Sequence, residues 1–227
     1  MMKIGVLLSG CGVNDGSEIH EATLTLLHIL KNGGTPVCIA PNMPQKNVVN
    51  HLTGEEVINE TRNTLVEAAR ISRGDIKDLA DITEDDLDAL IIPGGFGAAK
   101  NISNFALIDD KTQTIVEPQT ARLIQSMHMA AKPMGFMCIS PASIAAPALQ
   151  GRMVQLTTGQ DEGTILAINA LENIGIMCNV DEIIIDEKNR IASTPAYMLG
   201  NNIAEIELGI AKLVSWVYTT AQSAKAA

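Results

Sequence analysis

Aromatic residues are nearly absent from this 227-residue chain, which has one Trp, two Tyr and three Phe. Its core must therefore be aliphatic, built from Ala, Ile, Leu, Val and ten Met. Positive charge is scarce as well, with 16 Lys and Arg against 26 Asp and Glu and a net charge of −10. No basic stripe is available to neutralise phosphates, which argues against nucleic acid and against an anionic membrane surface as partners. No apolar run approaches the roughly 20 residues that span a bilayer. The start, MMKIGVLLSG, lacks the small-residue cleavage site of a signal peptide. These features predict a cytosolic protein with reduced thiols.

Metal and nucleotide motifs are missing too. Cys11, Cys38, Cys138 and Cys178 contain no CxxC pair, and His20, His28, His51 and His128 form no HExxH. Gly10, Gly12 and Gly16 do not make GxGxxG. The sequence thus predicts no metal and no cofactor. The acidic run 81-DITEDDLD-88 reads as a solvated turn or helix start.

What is present is an alternation of short apolar runs with helical periods. Strands are expected at 3–8, 36–40, 89–92 and 133–137, with shorter ones at 153–156, 177–180, 183–186 and 191–193. Helices are expected at 18–31, 61–71, 113–131, 141–149 and 202–220, while 41–58 and 101–112 read as irregular insertions. Strands joined by such helices require crossovers, giving a mainly parallel sheet covered on both faces. One α/β domain over 1–227 is the expectation.

In such a sheet, ligands bind beyond the carboxyl ends of the strands. Three unusual segments fall there: 9-SGCGVNDGSE-18, 93-PGGFGAAKN-101 and 138-CISPAS-143. Cys138 stands where a strand turns into a helix. It is either a buried core thiol or a nucleophile whose pKa is drawn below about 8.5 by the helix N-terminus. Gly94 and Gly95 permit close backbone approach to a ligand, and the N–H of Gly95 or of Phe96 is a candidate oxyanion donor. Glu18 and Glu21, at i and i+3, share one face at the start of the first helix. Either is a helix-terminal carboxylate or a protonated acid beside the cysteine. Cys11 would approach Cys138 if the first and fourth strands ended side by side.

The stretches 8-LSGCGVNDGSEIHEA-22, 50-NHLTGE-55, 61-TRNTLVEAARISRG-74, 91-IIPGGFGAAKNISNFA-106, 132-KPMGFMCISPA-142 and 194-TPAYMLGNNIAEI-206 carry a resemblance over nearly the whole chain. The sequence resembles the bacterial isoprenoid-biosynthesis (enhancing lycopene biosynthesis) family of the PfpI-like class I glutamine amidotransferase superfamily. The resemblance implies a flavodoxin-like three-layer α/β sandwich with a Cys nucleophile elbow at Cys138. It also implies an acid/base at Glu21, with Glu18 as rival, oxyanion donors at Gly95 and Ile139 beside Gly94, and a homodimer. Glutaminase and peptidase relatives place a histidine next to the elbow or one strand further on; here stand Ile139, Ser140 and 156-LTTGQDE-162. What then remains implied is a weak, cofactor-independent glyoxalase acting on glyoxal and less well on methylglyoxal. The rival is a non-enzymatic redox-sensing or regulatory protein of isoprenoid metabolism.

Overall fold

A computed structural model describes residues 1–226. Its strands are β1 (Lys3–Leu7), β2 (Thr35–Ala40), β3 (Val49–Asn50), β4 (Glu55–Glu56), β5 (Lys77–Asp78), β6 (Ala89–Ile92), β7 (Met134–Met137), β8 (Gln155–Leu156), β9 (Ile174–Gly175), β10 (Ile184–Asp186) and β11 (Ile191–Thr194). Its α-helices are α1 (Ile19–Lys31), α2 (Thr64–Ala68), α3 (Phe96–Lys100), α4 (Pro118–Met129), α5 (Ala146–Ala148), α6 (Glu162–Ala170) and α7 (Ile203–Ala226). Among the described residues no helix is long and apolar enough to cross a membrane.

Seven strands form one sheet in the order β10-β11-β7-β6-β1-β2-β5. All neighbours are parallel except the β10–β11 pair. The chain runs outward from β1 to β2 and then returns to place β6 on the other side of β1. The crevice at the carboxyl ends of β1 and β6 is therefore the switch point of the sheet. Side chains alternate between two cores. Val6, Ala89, Ile91 and Met137 face one, and Leu7, Leu90, Ile92 and Phe136 face the other. The first is closed by α1 and by a stripe of α7 (Ile206, Ile210, Leu213, Val214, Val217, Ala221), and the second by residues of α4 including Leu123, Ile124 and Met127. Burial on both faces explains why these strands read as continuous apolar runs.

Several expected boundaries move. The long helix starts at Pro118, not Gln113, because residues preceding a proline disfavour helical backbone and Glu117 caps the turn by accepting the Gln119 and Thr120 N–H groups. The 61–71 helix contracts to α2. The 41–58 insertion contains the β3–β4 hairpin. No strand forms at 177–180, where β9 at Ile174–Gly175 pairs with β8 instead. α6 was not expected: Ile165, Leu166, Ala167 and Ile168 are contiguous and carry no helical period. The acidic run at 84–86 is a short 3-10 turn.

Candidate active site

Cys138 leaves β7 with φ 59°, in the left-handed region that is costly for a non-glycine residue. Its N–H still reaches the neighbouring β11 chain, donating to Thr194 O at 3.1 Å. Ser140 pins the corner: its Oγ lies 2.9 Å from the carbonyl oxygens of Ile92 and Met137 and accepts the Met137 N–H at 3.0 Å. Residues Pro141–Ala145 then continue as a π-helix before α5. The corner buries the sulfur deeply, leaving Cys138 8% exposed.

The turn after β6 wraps around this cysteine. A Cβ at Gly94 would lie 2.5 Å from Cys138 Cβ and 2.8 Å from Sγ, so the absence of a side chain is what lets the two segments meet. Gly95 has φ 92°, and a Cβ there would strike Gly16 O and Glu18 N. The N–H groups of Gly95 and of Ile139 lie near enough to Cys138 to favour a charged sulfur. The N–H of Gly94 is already engaged, donating to Glu21 Oε2 at 2.8 Å. Gly94 thus enters the site through its missing side chain.

Glu21 and Glu18 have separate positions. Glu21 is fully buried on α1 and faces Cys138, and its Oε1 accepts the Tyr197 N–H at 3.3 Å. Glu18 caps α1, its Oε2 accepting the Glu21 N–H at 2.7 Å. Burial, reinforced by the Glu18 charge, pushes the Glu21 carboxyl up to about 7 against the pull of the Gly94 and Tyr197 N–H groups. Burial, with the Glu21 charge added, also holds the Cys138 thiol well above its ordinary range, the Gly95 and Ile139 N–H groups opposing. This corrects the expected low thiol pKa. The helix after the corner is short and begins in π geometry, and desolvation of the sulfur outweighs its N-terminal field. A proton on Glu21 removes the neighbouring charge and supplies a donor to sulfur, so the two groups titrate as a coupled pair.

Cys11 does not join this site. β6 separates β1 from β7, and Cys11 instead lies half-buried where Arg70, Glu67, Asp15 and Arg62 act on it. The sequence reading missed Tyr197 and His20. Tyr197 sits in a 3-10 turn, Ala196–Met198, after β11, and its hydroxyl lies 2.7 Å from His20 Nδ1. Both residues fall within stretches that carry the family resemblance, but nothing in their spacing, 176 residues apart between Tyr197 and Glu21, signals a contact. Among the described residues no group of three His, Cys, Asp or Glu side chains is arranged to hold a metal ion.

No protein-family model matches the chain. It is 40% identical over 221 residues to human glutamine amidotransferase-like class 1 domain-containing protein 3, mitochondrial, covering 93% of this chain and 81% of that protein. It is 39% identical over 224 residues to rat ES1 protein homolog, mitochondrial, covering 95% and 82%. Among solved structures it is similar to the isoprenoid biosynthesis protein with amidotransferase-like domain from Ehrlichia chaffeensis, with a TM-score of 0.88 and 36% identity, covering 96% of this chain and 100% of that one. Oxidized DJ-1 from Toxoplasma gondii shares the flavodoxin-like fold at 16% identity and a TM-score of 0.58, covering 99% and 95%.

Proposed function

The chain belongs to the family of ES1 and glutamine amidotransferase-like class 1 proteins, and from that premise we propose that it is a cofactor-independent glyoxalase acting through Cys138. The observation that carries the reading is the convergence of Cys138 Sγ and the buried Glu21 Oε2 on Gly94, 2.8 and 3.0 Å from where its Cβ would lie, with the Gly95 and Ile139 N–H groups favouring a charged sulfur.

The chemistry balances without an external oxidant or reductant. The Glu21 carboxylate takes the Cys138 thiol proton, the sulfur attacks one aldehyde carbon of glyoxal, a C–S bond forms as the C=O π bond opens, and the oxygen becomes an alkoxide facing the Gly95 and Ile139 N–H groups. Glu21 gives its proton to that oxygen. As a carboxylate it then takes the C–H proton of the first carbon and returns it to the second carbon, while the hydroxyl proton passes from the first oxygen to the second, so that the first carbon is oxidised to a thioester as the second is reduced to an alcohol. Water attacks the thioester, the C–S bond breaks, and glycolate and the thiol are released. Methylglyoxal follows the same steps, less well. The strongest charge acting on Glu21 is another carboxylate, Glu18. That field suits a small uncharged dicarbonyl better than an anionic substrate.

Glyoxal loss and glycolate formation by the parent protein and by Cys138→Ala test the proposal. Turnover by Cys138→Ala at the parent rate would sink it. The proposal includes a single domain over 1–227, a homodimer checked by sedimentation, and the link to isoprenoid biosynthesis that the Ehrlichia protein's name records.

One observation favours a second reading, a peroxide-sensing thiol. The same donors suit oxygen atoms added to Sγ. Thiolate attack on hydrogen peroxide forms the S–O bond, breaks the O–O bond and releases hydroxide. Oxidation confined to Cys138 under mild peroxide, with no glyoxal turnover, selects this reading.

A further inference from the structure

We propose that Tyr197 and His20 are a positioning pair for Glu21, tying the turn after β11 to α1 so that a main-chain N–H stays on the Glu21 carboxylate. The inference rests on Cys138 and Glu21 being the reactive centre, and it names the two residues that tune it.

The 3-10 turn at 196–198 leaves its first N–H groups without a partner of their own. That of Tyr197 is spent on Glu21 Oε1 at 3.3 Å, a long bond that a small shift of the turn would break. Nor is the turn relaxed: Ala196 is fully buried with φ 45°, a backbone region costly for alanine. What holds it against α1 is the side chain of Tyr197, whose hydroxyl meets His20 Nδ1 at 2.7 Å, with the two rings 5.8 Å apart. His20 is exposed on α1 and immediately precedes Glu21, so the hydroxyl contact and the N–H contact bridge the same two segments.

The ionisable groups facing Glu21 are Cys138 from the β7 corner, Glu18 from its own helix and Tyr197 from the turn. The β6 turn offers only backbone. From α7, Glu207 pairs with His28, two turns further along α1. The Gly94 and Tyr197 N–H groups are thus the main-chain donors that favour the Glu21 carboxylate. Losing one favours the protonated, uncharged Glu21, and the Cys138 thiolate then appears at lower pH.

Site-resolved iodoacetamide labelling across pH tests this with Tyr197→Phe, His20→Ala, the double variant and His20→Gln. Each single variant is expected to lower the Cys138 labelling midpoint by about half to one pH unit, the size of one weakened hydrogen bond. The double variant should add nothing further, because both act through one contact. His20→Gln, which retains an acceptor for the hydroxyl, should restore the parent midpoint. A merely loosened structure would instead quicken labelling of Cys38 and Cys178 as well, with the Cys138 midpoint unmoved, and that outcome overturns the inference. A Cys138 that labels in every variant with one common midpoint overturns the inference alone. A parent Cys138 that labels no faster than Cys38 removes the reactive centre and the inference with it.

Discussion

Glu21 Oε2 accepts the Gly94 main-chain N–H at 2.8 Å, joining α1 to the turn after β6 across 73 residues of sequence. The bond does not offset the burial, and the folded carboxyl titrates near 7 against 4.5 for the free side chain. A raised carboxyl pKa means that the folded state binds the proton more tightly. Its stabilising contribution is full below about pH 4.5 and is lost as pH rises through about 7, a swing of about 3 kcal/mol. Urea unfolding at pH 5 and pH 8 should show the parent losing stability over that interval, and Glu21→Gln should lose much less. Equal losses in the two proteins would mean that the carboxyl is not held up.

Glu18 acts on that titration in two ways, as cap and as charge. Glu18→Gln keeps an oxygen for the Glu21 N–H and removes the charge, so the Glu21 titration should move down from about 7. Glu18→Ala also loses the cap and should cost about 1 kcal/mol more. The same unfolding series read at closely spaced pH values checks both.

Gly94→Ala places a methyl 2.5 Å from Cys138 Cβ. Crowding of this kind costs about 1–3 kcal/mol. A displacement of the sulfur by about 1 Å should lower turnover about 100-fold. Unfolding midpoints and glyoxal kinetics measured together decide the matter: a variant with parent stability and parent turnover shows that the close approach is not required.

The other thiols should separate by environment. Cys38 is pushed up to about 11, by burial first and then by Asp75. At pH 8 about one Cys38 in a thousand is thiolate, and its alkylation should climb about tenfold per pH unit until about pH 11. Cys11 is more exposed and lies beside Arg70, which opposes the effect of burial. In Cys138→Ala protein, peptide mapping at pH 8 should find label on Cys11 well before Cys38.

The parallel sheet, the corner at Cys138 and the convergence of the 9–18, 93–101 and 138–143 segments were legible because continuous apolar runs and Gly or Pro breaks report them locally. Spacing alone did not separate Glu18 from Glu21, since residues at i and i+3 look alike until the cap forms, and it was the resemblance that favoured Glu21. The direction of the Cys138 titration was misread, because local sequence reveals a helix N-terminus and not the depth of burial. The idea that Cys11 meets Cys138 failed on strand order: β6 intervenes, and the order is set by long-range pairing. Tyr197 and His20 were invisible for the same reason. Pro118 gave a boundary that the apolar period alone overran.

The contacts that make Cys138 unusual come from α1, from the turns after β6 and β11, and from its own corner. Contacts as far apart in sequence as 73 and 176 residues must close before any of them exists. A nascent or partly unfolded chain therefore carries only an ordinary thiol, without its proton partner or its two N–H donors. Chemistry that needs Glu21 and these N–H groups at this one sulfur therefore begins only once the whole tertiary structure is complete.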